Sequence, residues 1–353
     1  MQVGVVARDL QGDRGRYIRG LAQGLLELRS PDRFHFYYND PYEMVGNGGS
    51  WDGRIGDKRL VGPRWWWDHV ALPTIARRDR VDALLCTQGG FPLVSARCPV
   101  FPIVHSIESH WDRMWLRVAQ KRGAFFIVYS KGPFDQLIGM DVGLDKILWT
   151  NIAIDEEVCR VTAQDELDRV VEKYALPGKF ILVSAANDNV LKVIRAYATV
   201  RRSHGLEWSL VIAGDFGVNR EGWQLEIGAS GVGRDILGTG DVDEKDWPAL
   251  YSLADVFVST DESGSLGFPL LEAMACGCPV VCSPLEYRNV TGVAGERVEP
   301  SEVADIARGI KEVLRDSSLR DDMRLRGHER VDECTWNRVA KETMRFLTEV
   351  VSR

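Results

Sequence analysis

The 353 residues contain no apolar run approaching the roughly 20 that a helix needs to cross a bilayer, so no helical membrane span is expected. Low-complexity tracts and short-period repeats are also missing, which argues against a disordered chain or a solenoid. The start, Met1-Gln2-Val3-Gly4-Val5-Val6, runs straight into an apolar strand pattern without the features of a signal peptide. Cysteine is sparse and odd in number: seven residues, mostly inside apolar runs, suit a reducing cytosol better than a disulfide framework. Cys276, Cys278 and Cys282 stand close together but lack a second paired knuckle, and no metal is expected there. Positive charge is short, with 44 Lys and Arg against 51 Asp and Glu and a net charge of −7, which argues against nucleic acid as a partner. No Gly-x-Gly-x-x-Gly follows the first strand, so the usual dinucleotide fingerprint is absent. A cytoplasmic protein is expected.

What the sequence does have is alternation. A chain of this length exceeds one ordinary domain, and two are expected, each able to bury its own core. Val3–Ala7, Phe34–Tyr38, Asp82–Thr87, Pro102–His105, Phe125–Ser130 and Lys146–Asn151 read as strands separated by helical or polar stretches. The helix after the first strand is expected to run from Arg16 to about Leu28. A helix over Asp165–Tyr174 leads into a second series, with strands at Phe180–Ser184, Leu210–Gly214, Asp235–Leu237 and Asp255–Ser259. Two such series imply an α/β, doubly wound architecture.

The densest signal lies between Ser259 and Val281. A short apolar strand passes through a Gly/Ser stretch into a helix opening at Pro269, the favoured first helical residue. Gly277 closes that helix, and Pro279 precedes the next strand. A strand, a glycine-rich loop and a helix N-terminus together present unpaired N–H groups and a positive dipole end to an anion. Gly264 and Gly267 let the backbone approach a ligand that a Cβ would repel. Glu272, on the first turn, lies within reach of hydroxyls beside a bound phosphate. An ordinary strand–helix turn has the same outline, so this pattern by itself does not decide.

The text from Gly267 to Val281 resembles the donor-site signature of retaining glycosyltransferases of family 4, a Gly-rich loop followed by Leu-Glu-Ala-Met-Ala-x-Gly-x-Pro-Val. The resemblance implies the GT-B fold, two Rossmann-like domains facing across a cleft. It also implies that the last helix crosses back to the first domain after Thr335-Trp336-Asn337. On that basis residues 1–165, with 336–353 returning, form the acceptor-binding domain, and residues 166–335 the nucleotide-sugar donor domain. It implies that Glu272 holds the ribose hydroxyls while Gly264, Ser265, Leu266 and Gly267 grip the diphosphate. Gln11–Tyr17 is similar to the family's Gly-x-Gly-Arg-Tyr segment, which turns Gly12 and Gly15 toward the donor phosphate. Arg14 or Arg16 then offers positive charge, unless both simply face solvent. His105 is expected at the sugar or the acceptor, the alternative being a half-buried histidine bonded to a backbone carbonyl.

Two departures from the family text stand out. Where members carry an Arg-Lys pair toward the diphosphate, this sequence has Asn187 and Asp188, and Lys192 one turn later is the substitute cation. Eight residues before Glu272, where the family has its first glutamate, stands Gly264; Glu262 fills that role only through a longer loop, and Asp261 is a further candidate. Arg64-Trp65-Trp66-Trp67-Asp68-His69 and His110-Trp111-Asp112-Arg113 with Trp115 suit sugar stacking or an anionic membrane surface. A packed helix face with snorkelling arginines has the same composition.

The expected activity is therefore that of a retaining, metal-independent glycosyltransferase. It would need no cofactor beyond its nucleotide-sugar donor, and would act on an acceptor hydroxyl of a glycan, lipid-linked or small-molecule substrate. His105 and Glu262 are the catalytic candidates; Glu272, Gly264–Gly267, Gly12, Gly15, Arg16 and Lys192 are the donor-binding ones. The alternative is a degenerate GT-B protein that binds a sugar or partner without catalysis. Peripheral contact with the inner face of a membrane is a further expectation, and oligomeric state is left open.

Overall fold

Val3 to Ala7 are buried without exception, which is the burial of a strand covered on both faces. In the computed structural model this stretch is β1 (Gln2–Ala7), at the centre of a parallel sheet. The structure describes residues 1–7, 12–28, 30–38, 55–59, 66–86, 92, 97–107, 109–155, 158–187, 189–205, 207–215, 220–261, 267–286 and 290–353. Two units divide the chain: Met1–Ala153 with Cys334–Arg353, and Ile154–Glu333. The stretch from 154 to 165 is thus counted with the second unit.

In the first unit β2 (Arg33–Tyr38), β3 (Ile55–Arg59), β4 (Ala83–Cys86) and β5 (Val100–Pro102) join β1 in the order β3-β2-β1-β4-β5, all parallel. β6 (Phe126–Val128) and β7 (Ile147–Trp149) form a parallel pair, reached from β5 through the Ile103–Ile127 bridge. The helices are α1 (Gly12–Glu27), α2 (Leu72–Arg78), α3 (His110–Lys121) and α4 (Lys131–Ile138). α1 begins four residues earlier than the sequence reading has it, at a glycine with φ +63°. Regular pairing of β5 stops at Pro102, which has no N–H to give; the N–H groups of Ile103 and Val104 still bond Cys86 and Ile127. His105 therefore stands beyond the ladder rather than ending a strand.

The last helix, α12 (Trp336–Val351), is capped by Thr335 and belongs to this first unit. It packs on α1 where two glycines remove the side chains that would hold it off. A Cβ on Gly20 would overlap the Trp336 indole, and one on Gly24 would come within 2.5 Å of the Trp336 carbonyl oxygen. Trp336 in turn meets Tyr17 edge-on, centroids 5.4 Å apart.

The second unit repeats the plan. β8 (Phe180–Ser184), β9 (Ser209–Ala213), β10 (Ile236–Gly238), β11 (Val256–Ser259), β12 (Val280–Cys282) and β13 (Gly295–Arg297) lie in the order β10-β9-β8-β11-β12-β13, again all parallel. Its helices are α5 (Gln164–Tyr174), α6 (Val190–His204), α7 (Arg220–Ser230), α8 (Trp247–Leu253), α9 (Phe268–Ala275), α10 (Val303–Arg315) and α11 (Ser317–Asp332). Ile306, Ile310 and Val313 fall on one face of α10 and are fully buried in the same core as Val281 and Val298. Such burial contributes about 1.5–3 kcal/mol per side chain. Among the described residues no helix is long and apolar enough to cross a membrane.

Candidate functional site

In an open parallel sheet, ligands bind outside the carboxyl ends of the strands, where the winding direction reverses. In the second unit that point falls between β8 and β11, paired as Val183 with Val258. A buried polar network occupies it. The Oδ1 of Asn187 accepts from the Asn189 N–H at 2.9 Å and from the Thr260 hydroxyl at 3.1 Å. Asn189 Nδ2 donates to the Thr260 carbonyl at 2.8 Å, tying the two strand ends together. All three residues are buried. Asn187 was legible as a departure from a family pattern; the part of Thr260 was not, because only strand order brings it beside Asn187.

α9 starts on the same edge. Its N-cap Gly267 has φ +74°, and a Cβ there would overlap the Val290 side chain, so glycine is required twice over. The helix begins at Phe268 and carries Glu272 on its second turn rather than its first. Every residue of α9 is buried except Pro269 and Glu272, which lie three apart and share the one side turned from the core. A carboxylate on an otherwise apolar helix is thereby presented at the sheet edge. The helix closes at Gly277, with φ +73°. Glu262, Gly264, Ser265 and Leu266 lie outside the described residues, as does Asp188. Lys192 is half-buried in the first turn of α6, its N–H bonded to the Asn189 carbonyl at 2.9 Å.

The corresponding edge of the first unit is aromatic. His105 is buried, and its Nδ1 is hydrogen-bonded to the Tyr129 hydroxyl. On this nitrogen the partner is a phenol, not the backbone carbonyl of the alternative reading. Burial first, then the neighbouring Tyr17, holds the Tyr129 hydroxyl well above its ordinary pKa, so it stays protonated. Tyr17 meets the His105 ring edge-on at 6.0 Å and lies 4.7 Å from the Tyr129 ring. Arg14, on the first turn of α1, donates to the Ser106 hydroxyl at 2.9 Å and so joins the helix start to the His105 segment. Gly12 has φ +63° with open space where a Cβ would be, Gly15 is buried, and Arg16 is half-buried. The structure brings His105, Ser106, Arg14 and Tyr129 together. Tyr17 closes the Gly-x-Gly-Arg-Tyr resemblance but had no role assigned to it, and Tyr129 carried no sequence signal beyond its place in an apolar strand.

The remaining motifs disperse. The thiols of Cys276, Cys278 and Cys282 face the Cys159 carbonyl, the Ala254 carbonyl and the Thr291 hydroxyl respectively. Burial raises the Cys276 thiol to about 12. Among the described residues no three His, Cys, Asp or Glu gather as a metal set. Arg64 and Trp65 lie outside the described residues; Trp67 is core, whereas Trp115 stacks on His69 at 5.6 Å. Trp111 is 66% exposed.

With this geometry the likeness to known proteins is specific. The sequence pattern of the family described as glycosyl transferases group 1 matches residues 164–330. The chain is 29% identical to the O-antigen chain mannosyltransferase B of Escherichia coli over 206 residues, 57% of this chain and 54% of that protein. It is 35% identical to the phosphatidyl-myo-inositol mannosyltransferase of Mycobacterium leprae over 133 residues, 36% of each chain. Across the first of its curated relatives the chain spans about half of their length or less. Among solved structures, Anabaena HepE in complex with UDP superposes with a TM-score of 0.78 at 16% identity, covering 99% of this chain and 100% of that one. A glycosyltransferase from Rickettsia africae gives 0.77 at 14% identity, covering 100% and 99%. The fold is GT-B, built from two Rossmann-like units, and the matched residues 164–330 lie within the second unit.

Proposed function

We propose that the chain transfers a sugar from a nucleotide-sugar donor to an acceptor hydroxyl, with retention of anomeric configuration and without a metal ion. The observation that carries this reading is the Gly267–α9 turn with Glu272 on its one uncovered side, inside a group 1 domain. The N-terminal amides and dipole of α9 would meet the diphosphate, and Glu272 the ribose hydroxyls. Lys192 and the loop amides from Gly264 to Gly267 would add to the donor site. Gly12, Gly15 and Arg16 are the first unit's proposed contribution to the donor phosphate.

In the reaction the acceptor oxygen bonds to C1 of the donor sugar while the bond from C1 to the phosphate oxygen breaks. The acceptor proton passes to that departing oxygen, giving a glycoside and a nucleoside diphosphate. No protein nucleophile is needed. His105, held by Tyr129, would orient the sugar or acceptor, with Glu262 as the second catalytic candidate. The mannosyltransferase names of the relatives support mannose as the first sugar to try. Exposed Trp111 and Met114 alongside Arg113 and Arg117 on α3 support peripheral contact with an anionic membrane and a lipid-linked acceptor. The test is a panel of nucleotide-sugars and acceptors with chelator present, reading nucleoside diphosphate release and the anomeric proton of the product by NMR. Release from no donor sinks the activity, an inverted product sinks retention, and loss of turnover with chelator sinks metal independence.

A further inference from the structure

One end of the Asn187 carboxamide is accounted for and the other is not. Oδ1 accepts from the Asn189 N–H and the Thr260 hydroxyl. A backbone N–H can only donate, so the atom facing it is the oxygen, and the amide cannot be the other way round. Nδ2, with its two N–H donors, therefore points away from that pair. It is buried and has no hydrogen-bond partner among the described residues, on a side chain only 5% exposed. A buried donor left unmet is costly in a folded protein and calls for a reason.

The place supplies one. Asn187 sits at the switch point between β8 and β11, on the sheet edge from which α9 starts. The geometry points to Asn187 Nδ2 as a neutral hydrogen-bond donor to the diphosphate of the bound nucleotide-sugar. This rests on the transferase reading. The oxygen end is clamped by a backbone N–H and a fully buried threonine hydroxyl, so binding need not order a long flexible side chain. The amide meets the anion without bringing a buried positive charge of its own, whose desolvation an arginine would have to overcome. Thr260 is then a positioning residue for Asn187.

Titration of the purified protein with UDP and GDP, and with uridine and guanosine, tests this by calorimetry. Asn187→Asp keeps an oxygen for Asn189 and Thr260 but puts negative charge where the donor was. Asn187→Ser keeps an acceptor near the Asn189 N–H and removes Nδ2, which covers the case that the aspartate variant does not fold. Both variants are expected to weaken diphosphate binding at least tenfold, the aspartate more than the serine, while nucleoside binding stays within twofold. Glu272→Ala, by contrast, should weaken both ligands. Equal loss of diphosphate and nucleoside in the Asn187 variants, or no loss of either, overturns the assignment while leaving the transferase reading intact. Failure of the unaltered protein to bind either diphosphate overturns both.

Discussion

The two units share a strand order and differ in what holds their outer helices. In the first, α12 is seated by shape: Gly20 and Gly24 of α1 make room for Trp336, and Tyr17 packs edge-on against its ring. In the second, α5 is seated by charge. The buried Asp246 accepts from Arg169 at 2.7 Å, Lys173 at 2.6 Å and the Tyr174 hydroxyl at 2.9 Å, all three from the same helix. The carboxyl edges differ in the same sense, rings around His105 in one unit and an amide network around Asn187 in the other. One topology thus fixes where an edge lies without fixing its chemistry.

Acid separates the two anchors most sharply. Burial alone would raise the Asp246 carboxyl, but the hydrogen bonds from Arg169, Lys173 and Tyr174 outweigh it and hold the group well below its ordinary 3.8. A folded value below the unfolded one means that the stabilisation is fully present above about 3.8 and is lost as pH falls from there through the folded value. Asp246→Ala should destabilise the protein at neutral pH, because it removes the buried acceptor shared by three α5 groups, although Arg169 and Lys173 stay partly in water. Hydrogen exchange across α5 should rise in this variant, and in the unaltered protein below about pH 4. Gly20→Ala should cost about 1–3 kcal/mol by overpacking and loosen α12 equally at neutral and acid pH. Acid-dependent loosening of α12 in that variant, or an α5 unmoved by loss of Asp246, would remove the contrast.

The glycines at the start of α9 and α1 sharpen it. Both have positive φ, but a Cβ at Gly267 overlaps Val290 whereas one at Gly12 meets nothing within 4 Å. Gly12→Ala should therefore cost only the left-handed backbone term, about 1–2 kcal/mol. Gly267→Ala adds overpacking and should reach about 2–4 kcal/mol, read from urea midpoints at constant slope. Equal midpoints for the two variants would show that Val290 moves aside freely.

Why one edge was readable and the other was not follows from these residues. β1 and β8 are buried on both faces and read as continuous apolar runs, and Gly267, Pro269 and Gly277 each have a conformational reason visible in sequence. β3, with Asp57, Lys58 and Arg59, has no such run, and the three-residue β13 is too short to show a period. The Asn187–Thr260 bond joins residues 73 apart and depends on β8 lying next to β11. Tyr129 and His105 meet only because β5 hands its pairing on to β6 at Ile103 and Val104. Local text carries caps and turns; partners across a sheet edge are set by strand order.

Ligand binding should divide along the same line. Glu272→Ala, with the carboxylate removed from the uncovered side of α9, is expected to weaken nucleoside diphosphate binding by about 1–3 kcal/mol, the usual cost of losing a charged hydrogen bond. The variant should stay folded, since the core face of α9 is untouched. Unchanged affinity in calorimetry with an intact fold would falsify the ribose assignment.

The smallest effect is expected at Tyr129, and it decides whether the aromatic edge belongs to the acceptor side alone. Tyr129→Phe keeps the buried ring beside Tyr17 and removes only the hydroxyl bonded to His105 Nδ1. The stability change should be about 0.5–1.5 kcal/mol, the net worth of one ordinary hydrogen bond. Diphosphate binding should be unaltered, because the lost hydroxyl bonds His105 and is not among the groups proposed for the donor phosphate. Turnover should fall, because the phenol hydrogen bond that helps set the tautomer and orientation of the His105 ring is gone. The informative pattern is a lower kcat, or a higher acceptor KM, at constant donor KM. If Tyr129→Phe weakens UDP or GDP binding as strongly as Glu272→Ala does, the aromatic edge also serves the donor, and the division of labour drawn from the two units' chemistry fails.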